Sequence, residues 1–323
     1  MTKNRKAPSY LALHRQGRLR ERVAAARQLL HSCTVCPHAC GVNRLAGELG
    51  RCRIGARARV ASFGPHFGEE SPLVGKSGSG TIFFEGCNLL CIFCQNHDIS
   101  HIDRRGDASP QAVDDTALAA IMLDLQAQGC HNINLVTPTH VAPQIIAALP
   151  LAIERGLHLP LVYNSSGYDH VPTLRLLEGV VDIYMPDCKF WTAETAARYT
   201  NAADYPEVMQ EALKEMQRQV GDLQIDQDGL AWRGLLVRHL VMPELPAETR
   251  GVLEFLTRTI GPATYINIMD QYRPCHQAYS DVTINRPLRA DEYVQALAMA
   301  EEFGLERLDQ RNWQRLFHRL LDR

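Results

Sequence analysis

Short apolar runs alternate with longer amphipathic segments along most of this chain, and this alternation constrains the fold more than any other feature. Strands are predicted at residues 81–84, 133–136, 159–163, 181–185, 235–242 and 265–269. Helices are predicted at residues 109–129, where Ser109 would be the N-cap, and at 143–155, 205–220, 247–260 and 291–303. Strands that alternate with helices form βα units around a parallel sheet. Six units suffice for an open, curved sheet, whereas a closed barrel needs eight, so we predict an α/β fold built as a partial (β/α)6 barrel.

Composition indicates a globular protein with one large domain and a small appendage. The 323 residues are 46% apolar, which is enough to fill a domain of the barrel type. We predict an N-terminal helix and cysteine-rich metal-binding segment at residues 1–60, followed by the barrel and its C-terminal helices at residues 61–323. The first 27 residues carry eight Lys and Arg side chains and one acid, Glu21. That pattern is typical of a basic surface helix and of a mitochondrial presequence, and we favour the helix.

Charge and hydropathy exclude several kinds of partner. The formal net charge is -2, from 34 basic and 36 acidic residues, so no global field would recruit nucleic acid or an anionic membrane. The sequence has no run of eighteen apolar residues and no apolar core of a secretory signal near its start. We therefore expect a cytoplasmic protein, whose ten cysteines serve as metal ligands or free thiols rather than disulfides.

Polar or reactive side chains follow, or lie within, the end of each predicted strand. In chain order the clusters are Cys87/Cys91/Cys94, Thr137-Pro138-Thr139-His140, Asn164-Ser165-Ser166-Gly167, Asp187-Cys188-Lys189, Arg238-His239 and Gln271-Tyr272-Arg273. In parallel α/β sheets the chemistry is located in loops at the carboxyl ends of the strands. The six clusters are therefore expected to meet at one mouth.

The first of these clusters is the most specific. Cys87-x3-Cys91-x2-Cys94 supplies three thiolates, whereas a structural zinc closes its shell with four ligands. Three thiolates can hold three irons of a cubane and leave the fourth iron open to an outside ligand. The competing interpretations are a zinc knuckle that adds a histidine such as His97, and three unrelated buried thiols. We favour the cubane because open metal positions are where such sites do their chemistry.

With Phe93 directly before its third cysteine, this loop resembles the C-x3-C-x-aromatic-C signature of the radical S-adenosylmethionine (SAM) superfamily. Within the superfamily, the chain resembles the pyruvate formate-lyase-activating-enzyme-like group. The resemblance extends over CTVCPHACGVNRLAGELGRCRIG, HFGEESPLVGKSGSGTIFFEGCNLLCIFCQN, YPEVMQEALKEMQRQVGDL and RGLLVRHLVMPE. It implies a [4Fe-4S] cluster on Cys87, Cys91 and Cys94, the catalytic ligands, whose open iron chelates the amino and carboxylate groups of SAM. Reduction would then split SAM into methionine and a 5′-deoxyadenosyl radical that abstracts hydrogen from a substrate.

The resemblance also suggests SAM contacts near the first three strands. Phe93 would lie along the adenine, unless it belongs to the core. Where the superfamily often has Gly-Gly-Glu to hold the SAM amino group, this chain has V-T-P-T-H, so Thr137 or backbone groups would substitute. Where activating enzymes have Asp-Thr-Asn-Gly, this chain has N-S-S-G and lacks the carboxylate associated with a cation site. Asn164 and Ser166 remain candidates for ribose or methionine contact.

The later strands resemble activating enzymes more closely. Asp187-x-Lys189 is similar to their Asp-x-Lys, and two residues at i and i+2 of a strand point the same way. The pair could grip the zwitterionic methionine moiety, or it could be an ordinary surface ion pair. Arg238 matches an arginine on the fifth strand and would pair with a carboxylate, while His239 points to the opposite face. Tyr272 stands near the position of a histidine in activating enzymes.

A second cysteine group precedes the barrel. Cys33-x2-Cys36-x3-Cys40-x11-Cys52 supplies four thiolates at short spacing, which could close the shell of a structural zinc or hold an auxiliary iron–sulfur cluster. Cys36-Pro37 is similar to iron–sulfur loops, but no need for electron transfer is evident. We favour zinc and expect the segment to fold only with its metal.

These features favour a radical SAM oxidoreductase. The resemblance to activating enzymes points to abstraction of an α-hydrogen from a glycine of a protein partner, which would become a glycyl radical enzyme. One alternative is a radical SAM enzyme that modifies a small molecule or a nucleoside. The alternative of another class is a non-catalytic iron–sulfur or zinc-binding protein. The enzyme would take its electron from a donor such as flavodoxin or ferredoxin.

Overall fold

The chain is described by a computed structural model over residues 7–102, 107 and 109–309. Most of its strands belong to one sheet. The strands are β1 (Ala58–His66), β2 (Ser79–Phe84), β3 (Ala112–Val113), β4 (Ile133–Val136), β5 (Leu161–Ser165), β6 (Ile183–Pro186), β7 (Gln224–Ile225), β8 (Ala231–Leu240), β9 (Tyr265–Met269) and β10 (Arg307–Leu308).

Six neighbouring strands of the sheet run parallel to one another. The spatial order is β10-β9-β8-β6-β5-β4-β2-β1-β3, with β7 paired to β8. Neighbours from β2 to β9 in this order pair in parallel, and the short β10 is parallel to β9, whereas β1 is antiparallel to β2 and β7 to β8. The ends of this order do not pair with each other, so the sheet is open. The predicted α/β class and the six strands of a partial (β/α)6 barrel are confirmed.

Most of the described helices connect the parallel strands, and the first three lie before those strands in the chain. They are α1 (Ser9–Arg15), α2 (Arg18–Gln28), α3 (Ser71–Val74), α4 (His97–Ser100), α5 (Asp115–Ala127), α6 (Ala142–Glu154), α7 (Val171–Leu177), α8 (Ala193–Thr200), α9 (Tyr205–Val220), α10 (Pro246–Phe255) and α11 (Ala290–Glu302). The end of α10 continues as a π-helical turn over Leu256–Ile260. No described helix is long and apolar enough to cross a membrane.

The two faces of the sheet are both buried, as expected for a parallel sheet. One row of paired residues crosses five strands and packs into the main core with the helices: Ile82, Leu135, Tyr163, Tyr184 and Leu235. Side chains alternate between faces along each strand, so their neighbours point the other way. Residues on the other face, among them Val162, Ile183 and Leu236, form a smaller cluster with Leu73 of α3.

The largest difference from the prediction lies before the helix α5. The predicted N-cap at Ser109 is wrong, because Ala112–Val113 instead pairs with β1, a strand absent from the prediction. Helix α5 begins only after Asp114, whose carboxylate accepts a hydrogen bond from the backbone N–H of Ala117 at 2.8 Å. The helix therefore begins after the segment that pairs with β1, rather than at Ser109.

The N-terminal part contains the expected basic helix. Helix α2 buries Leu19 and Ala26 and packs against α6, so the amphipathic interpretation of this segment is confirmed. The division into residues 1–60 and 61–323 stays a prediction. Residues 1–6 and 310–323, at its two ends, lie outside the described residues.

Candidate functional site

The three-cysteine loop starts immediately after β2, at the carboxyl end of the strand. Backbone hydrogen bonds fasten it at several points: Gly86 N–H donates to the carbonyl of Ile99 at 2.8 Å, and Ile92 N–H donates to that of Tyr199 at 3.0 Å. Leu90 adopts a positive φ of 51° inside the loop. The loop is thus held by both α4 and α8, which encloses its cysteines.

The three thiols lie in one buried environment. Burial raises the pKa of Cys91, the neighbouring Cys87 and Cys94 raise it further, and the ammonium of Lys189 opposes the rise. Polar groups approach the sulfurs: Leu89 N–H donates to Cys87 Sγ at 3.3 Å, and Ser100 Oγ lies 3.3 Å from Cys94 Sγ. Cys87 and Cys94 are therefore both near Cys91, while the role of the three thiols as cluster ligands stays a prediction.

A buried ion cluster lies at the ends of β6 and β8. Asp187 Oδ2 accepts from Lys189 Nζ at 2.6 Å, and its Oδ1 accepts from Arg238 at 2.8 Å. These three side chains are only 13–19% exposed, so the interpretation as an ordinary surface pair does not hold. Burial favours a higher pKa for Asp187, but Arg238 and Lys189 outweigh it and lower the pKa. Within this cluster two cations share one carboxylate.

The ion cluster adjoins the cysteine triad. Lys189 and Asp187 both influence the pKa of Cys91, in opposite directions. On the opposite face of β8, His239 is buried, with Nδ1 2.7 Å from the carbonyl of Cys188 and Nε2 2.9 Å from Thr249 Oγ1. The predicted separation of Arg238 and His239 onto two faces is therefore observed.

A glutamate that the sequence analysis missed completes this cluster from inside the barrel. Glu70, just before α3, accepts from Asn267 Nδ2 at 3.0 Å and lies 4.0 Å from Arg238. Burial raises the pKa of Glu70 to about 6, although Arg238 opposes this. Its Oε2 is buried without a hydrogen-bond partner among the described residues. The charge beside Arg238 therefore depends on the protonation of Glu70.

The loops after β4 and β5 meet beside the ion cluster. Thr137 N–H donates to the carbonyl of Asn164 at 2.9 Å, and Thr137 has a φ of 59°, which is rare for a β-branched residue. The Asn164 side chain is buried, and Ser166 Oγ accepts from Tyr168 N–H at 3.4 Å. The structure brings these predicted contact residues to the common mouth, while their roles toward SAM stay predictions.

Two buried side chains fix these loops, and neither was anticipated. Asp169 accepts from the hydroxyls of Thr139, Tyr163 and Ser165 at 2.7, 3.0 and 2.6 Å. The hydroxyl of Tyr205 in α9 accepts from Lys189 N–H at 3.0 Å and lies 2.9 Å from the carbonyl oxygens of Ser166 and Asp187. The strand ends are thus tied together by hydrogen bonds of buried groups.

Phe93 lies in an aromatic cluster. It is 5% exposed, and its ring centre is 5.8 Å from that of Phe190, 6.4 Å from Tyr199 and 6.3 Å from Tyr272. Tyr272 donates its hydroxyl to the carbonyl of Ile284 at 2.5 Å. This packing agrees with the alternative that Phe93 belongs to the core, and its contact with adenine stays a prediction.

Histidines surround the outer side of the triad. His97 stacks on His276 with ring centres 5.1 Å apart, and His101 lies 4.6 Å from His276. Ser100 Oγ connects Cys94 to His101, whose Nδ1 is 2.9 Å from it. The sequence signal was weak because His276 is far from the others along the chain. His97, the alternative zinc ligand, is thus packed in a histidine group.

The second cysteine group also converges. Cys33, Cys36, Cys40 and Cys52 line one small cavity, hereafter the cysteine cavity. Burial raises the pKa of Cys36 to about 12, and the other three cysteines raise it as well. The four thiols predicted to share a metal are therefore neighbours in space.

Neither cysteine group has the geometry of an assembled metal site in the described part of the chain. Within residues 7–102, 107 and 109–309, no three His, Cys, Asp or Glu side chains are placed where they could hold a metal ion between them. The donor sets themselves fit: three clustered thiols beside a cation suit an iron–sulfur cluster, and four suit a zinc or a cluster. Metal binding requires deprotonated thiols, so loading at either group would include loss of protons and local adjustment of the loops.

Comparisons with other proteins find similarity over much of the chain. No protein-family model matches it. The uncharacterized protein MJ0674 of Methanocaldococcus jannaschii is 33% identical over 290 residues, which cover 88% of this chain and 79% of that protein. The solved structure of native anSMEcpe with bound AdoMet is similar with a TM-score of 0.47 and 10% identity, over 68% of this chain and 57% of that chain. This chain therefore spans little more than half of that solved chain, and a likeness at this level carries no inference about activity.

Proposed function

Because this chain belongs to the family of the uncharacterized protein MJ0674, whose name assigns no reaction, we propose its function from its own site: it is a radical SAM oxidoreductase. The observation that supports the proposal is the meeting of three thiols with an ion cluster at one end of a six-stranded parallel sheet. Cys91 is close enough to Asp187 and Lys189 for their charges to change its pKa. Electron carriers and structural zinc sites do not need such a cluster next to three thiolates.

The residues of the chain suit the binding of an amino acid zwitterion beside the triad. Lys189 and Arg238 hold Asp187 between them, and these two cations can also receive the carboxylate of methionine, most readily when Glu70 beside Arg238 is protonated. The open end of the sheet is lined by Asn164 and Ser166, which offer amide and hydroxyl groups. A [4Fe-4S] cluster on Cys87, Cys91 and Cys94 would supply the electron that cleaves SAM reductively to a 5′-deoxyadenosyl radical. The buried loops around the site would keep water away from the reaction.

The test is product formation under anaerobic conditions. Protein reconstituted with iron and sulfide should be brown, and dithionite with SAM should yield 5′-deoxyadenosine and methionine. The variant Cys91→Ala should release no 5′-deoxyadenosine and should bind about four fewer irons than wild type, whereas Cys130→Ala, a buried thiol outside both groups, should match wild type in both. A reconstituted wild-type protein that stays colourless, or that is brown but releases no 5′-deoxyadenosine, would defeat the proposal.

The finer proposal is that hydrogen is abstracted from a glycine of a partner enzyme. It is supported by the resemblance of Asp187-x-Lys189 and Arg238 to the corresponding residues of activating enzymes. The printed names of MJ0674 and of the similar solved structure do not state this activity. A flavodoxin or ferredoxin would provide the electron, and the cytoplasm would provide the reducing environment. Capture of partners by SAM-loaded protein under anaerobic conditions, followed by electron paramagnetic resonance for a glycyl radical, tests the idea. Turnover of a nucleoside or another small molecule without any protein partner would replace it.

A further inference from the structure

The cysteine cavity contains an unpaired cation. Arg44 lines the cavity and is only 1% exposed. Its Nε donates to the carbonyl of Gly55 and its Nη1 to that of His140, both at 2.8 Å. Nη2 is buried without a hydrogen-bond partner among the described residues, and no acid forms a salt bridge with Arg44 there. A buried guanidinium without a negative partner is costly, so an anion is expected next to it.

Two further buried polar atoms at the cavity also lack partners in the described part of the chain. They are His140 Nδ1 and Asn88 Oδ1, on residues that are each 1% exposed. His140 uses Nε2 toward the carbonyl of Glu85 at 2.8 Å, which leaves Nδ1 as a lone pair. Native proteins seldom leave such groups unsatisfied. Of the three atoms Arg44 Nη2 is the donor, so it is the one that an anionic occupant of the cavity would pair with.

We propose that Cys33, Cys36, Cys40 and Cys52 bind a metal as an anionic four-thiolate centre and that Arg44 is its internal counter-charge. On binding, each thiol gives its proton to solvent and its sulfur donates an electron pair to the metal. Four thiolates around a divalent ion leave an excess of two negative charges, and a cubane with four thiolates is also anionic. The free Nη2–H of Arg44 then donates to sulfur. Arg44 already opposes the effect of burial on the pKa of Cys52.

The same centre adjoins the three-cysteine loop. His38, which lines the cavity, has Nε2 2.6 Å from the carbonyl oxygen of Asn88, the residue that follows Cys87. Asn88 in turn donates from Nδ2 to the carbonyl of Tyr168 at 2.8 Å. Ordering of the cavity by metal would therefore also order the start of the loop that holds the triad.

The experiment uses the full chain with the triad removed, Cys87→Ala/Cys91→Ala/Cys94→Ala, so that its outcome does not depend on the proposed reaction. Zinc, iron and acid-labile sulfide per chain are measured after anaerobic purification and after addition of Zn2+ alone or of Fe2+ with sulfide. About one zinc, or about four irons with matching sulfide, supports the centre and identifies its metal. Added Cys33→Ser/Cys52→Ser should abolish loading, and added Cys130→Ser should not. Failure to load, or loading that survives Cys33→Ser/Cys52→Ser, would overturn the proposal.

The role of Arg44 is tested by metal release to a chelator in the same background. Arg44→Met should release metal about ten-fold faster or more, because one charge-assisted hydrogen bond is lost. Arg51→Met removes a cation that also lines the cavity but is exposed, and it should stay within about two-fold of the parent. If Arg44→Met does not fold, Arg44→Lys retains the charge without the planar fork and should release metal at an intermediate rate. Equal release from the Arg44 and Arg51 variants would contradict the counter-charge.

Discussion

At the scale of single residues, the site depends on how charges are shared rather than on any one side chain. Asp187 stands between two cations, and each of its oxygens is used by a different one. Removing the shared partner of a buried pair leaves charges uncompensated, which is more costly than removing one of two redundant partners. Asp187 should therefore matter more to stability than Lys189.

Asp187→Asn is expected to lower the free energy of unfolding by about 3 kcal/mol, because Lys189 and Arg238 then lose the carboxylate that lies between them. Lys189→Met should cost less than half as much, since Arg238 still pairs with Asp187. Urea denaturation under anaerobic reducing conditions measures both. An exposed pair provides the control: Glu302→Gln, which separates Glu302 from Arg250, should change stability little. Equal losses for Asp187→Asn and Lys189→Met would contradict the shared arrangement.

Glu70 should make stability depend on pH in a defined window. Its pKa is raised from an ordinary 4.5 to about 6, so the folded state holds its proton longer than the unfolded state does. The resulting stabilisation is complete below pH 4.5 and is lost as the pH rises through about 6, by about 2 kcal/mol.

Unfolding free energies of wild type and Glu70→Gln, measured between pH 4 and pH 8, test this expectation. The variant cannot lose the proton, so its decline over that window should be smaller by about 2 kcal/mol. Part of the decline should remain, because burial also raises the pKa of Asp182 to about 6. Parallel profiles for wild type and Glu70→Gln would refute the role of Glu70.

At the scale of elements, the loops at the strand ends are packed so closely that particular residue types are required. Gly167, after β5, has a φ of 78°, and a Cβ there would lie 2.2 Å from the carbonyl oxygen of Asp187. This close approach of two backbones brings the loop after β5 against the one that presents Asp187. A side chain at Gly167 would have to push the two loops apart.

Gly167→Ala should destabilise the fold by about 3 kcal/mol or more, since it adds a backbone collision to the cost of a left-handed alanine. Gly17→Ala is the matched control, because Gly17 is left-handed with a φ of 75° and has nothing within 4 Å of its added Cβ. That variant should cost about 1 kcal/mol. Thermal unfolding of the two variants gives the comparison, and similar losses would show that the approach to Asp187 is unimportant.

The boundaries of elements show where sequence patterns suffice. Strands β4 and β9 and helix α9 begin and end at the predicted residues, since each is bounded by strong local signals. The start of α5 could not be predicted from Ser109 and Pro110, because Ala112–Val113 forms hydrogen bonds with β1 instead. Strand β5 runs two residues further than expected, to Ser165, where hydrogen bonding to β6 continues.

At the scale of the whole molecule, the sheet gathers at one end groups that are distant along the chain. The triad is contributed by the loop after β2, the ion cluster by β6 and β8, and Glu70 by the segment before α3. Binding of SAM to such a preassembled mouth should stabilise the folded state, because a ligand that binds only the native protein shifts the unfolding equilibrium.

For the cluster-reconstituted protein, SAM at about one hundred times its dissociation constant should raise the free energy of unfolding by about 2.7 kcal/mol. The variant Cys87→Ala/Cys91→Ala/Cys94→Ala should show little of this effect, because it lacks the three thiols proposed to hold the cluster that binds SAM. Calorimetry under anaerobic conditions provides the measurement. Equal stabilisation of the triad variant would place SAM elsewhere.

The sequence by itself determined the succession of strands and helices and the loops in which the polar and cysteine clusters lie. The strands and helices follow from short-range periodicity. The position of Cys87, Cys91 and Cys94 in one loop follows from their spacing along the chain. The tertiary structure decided which side chains share a charge or a cavity. Glu70 reaches Arg238, Asp169 receives hydroxyls from two loops, and Arg44 enters the cysteine cavity only through folding. Such partners are far apart along the chain, and burial, rather than any local pattern, makes their contacts strong.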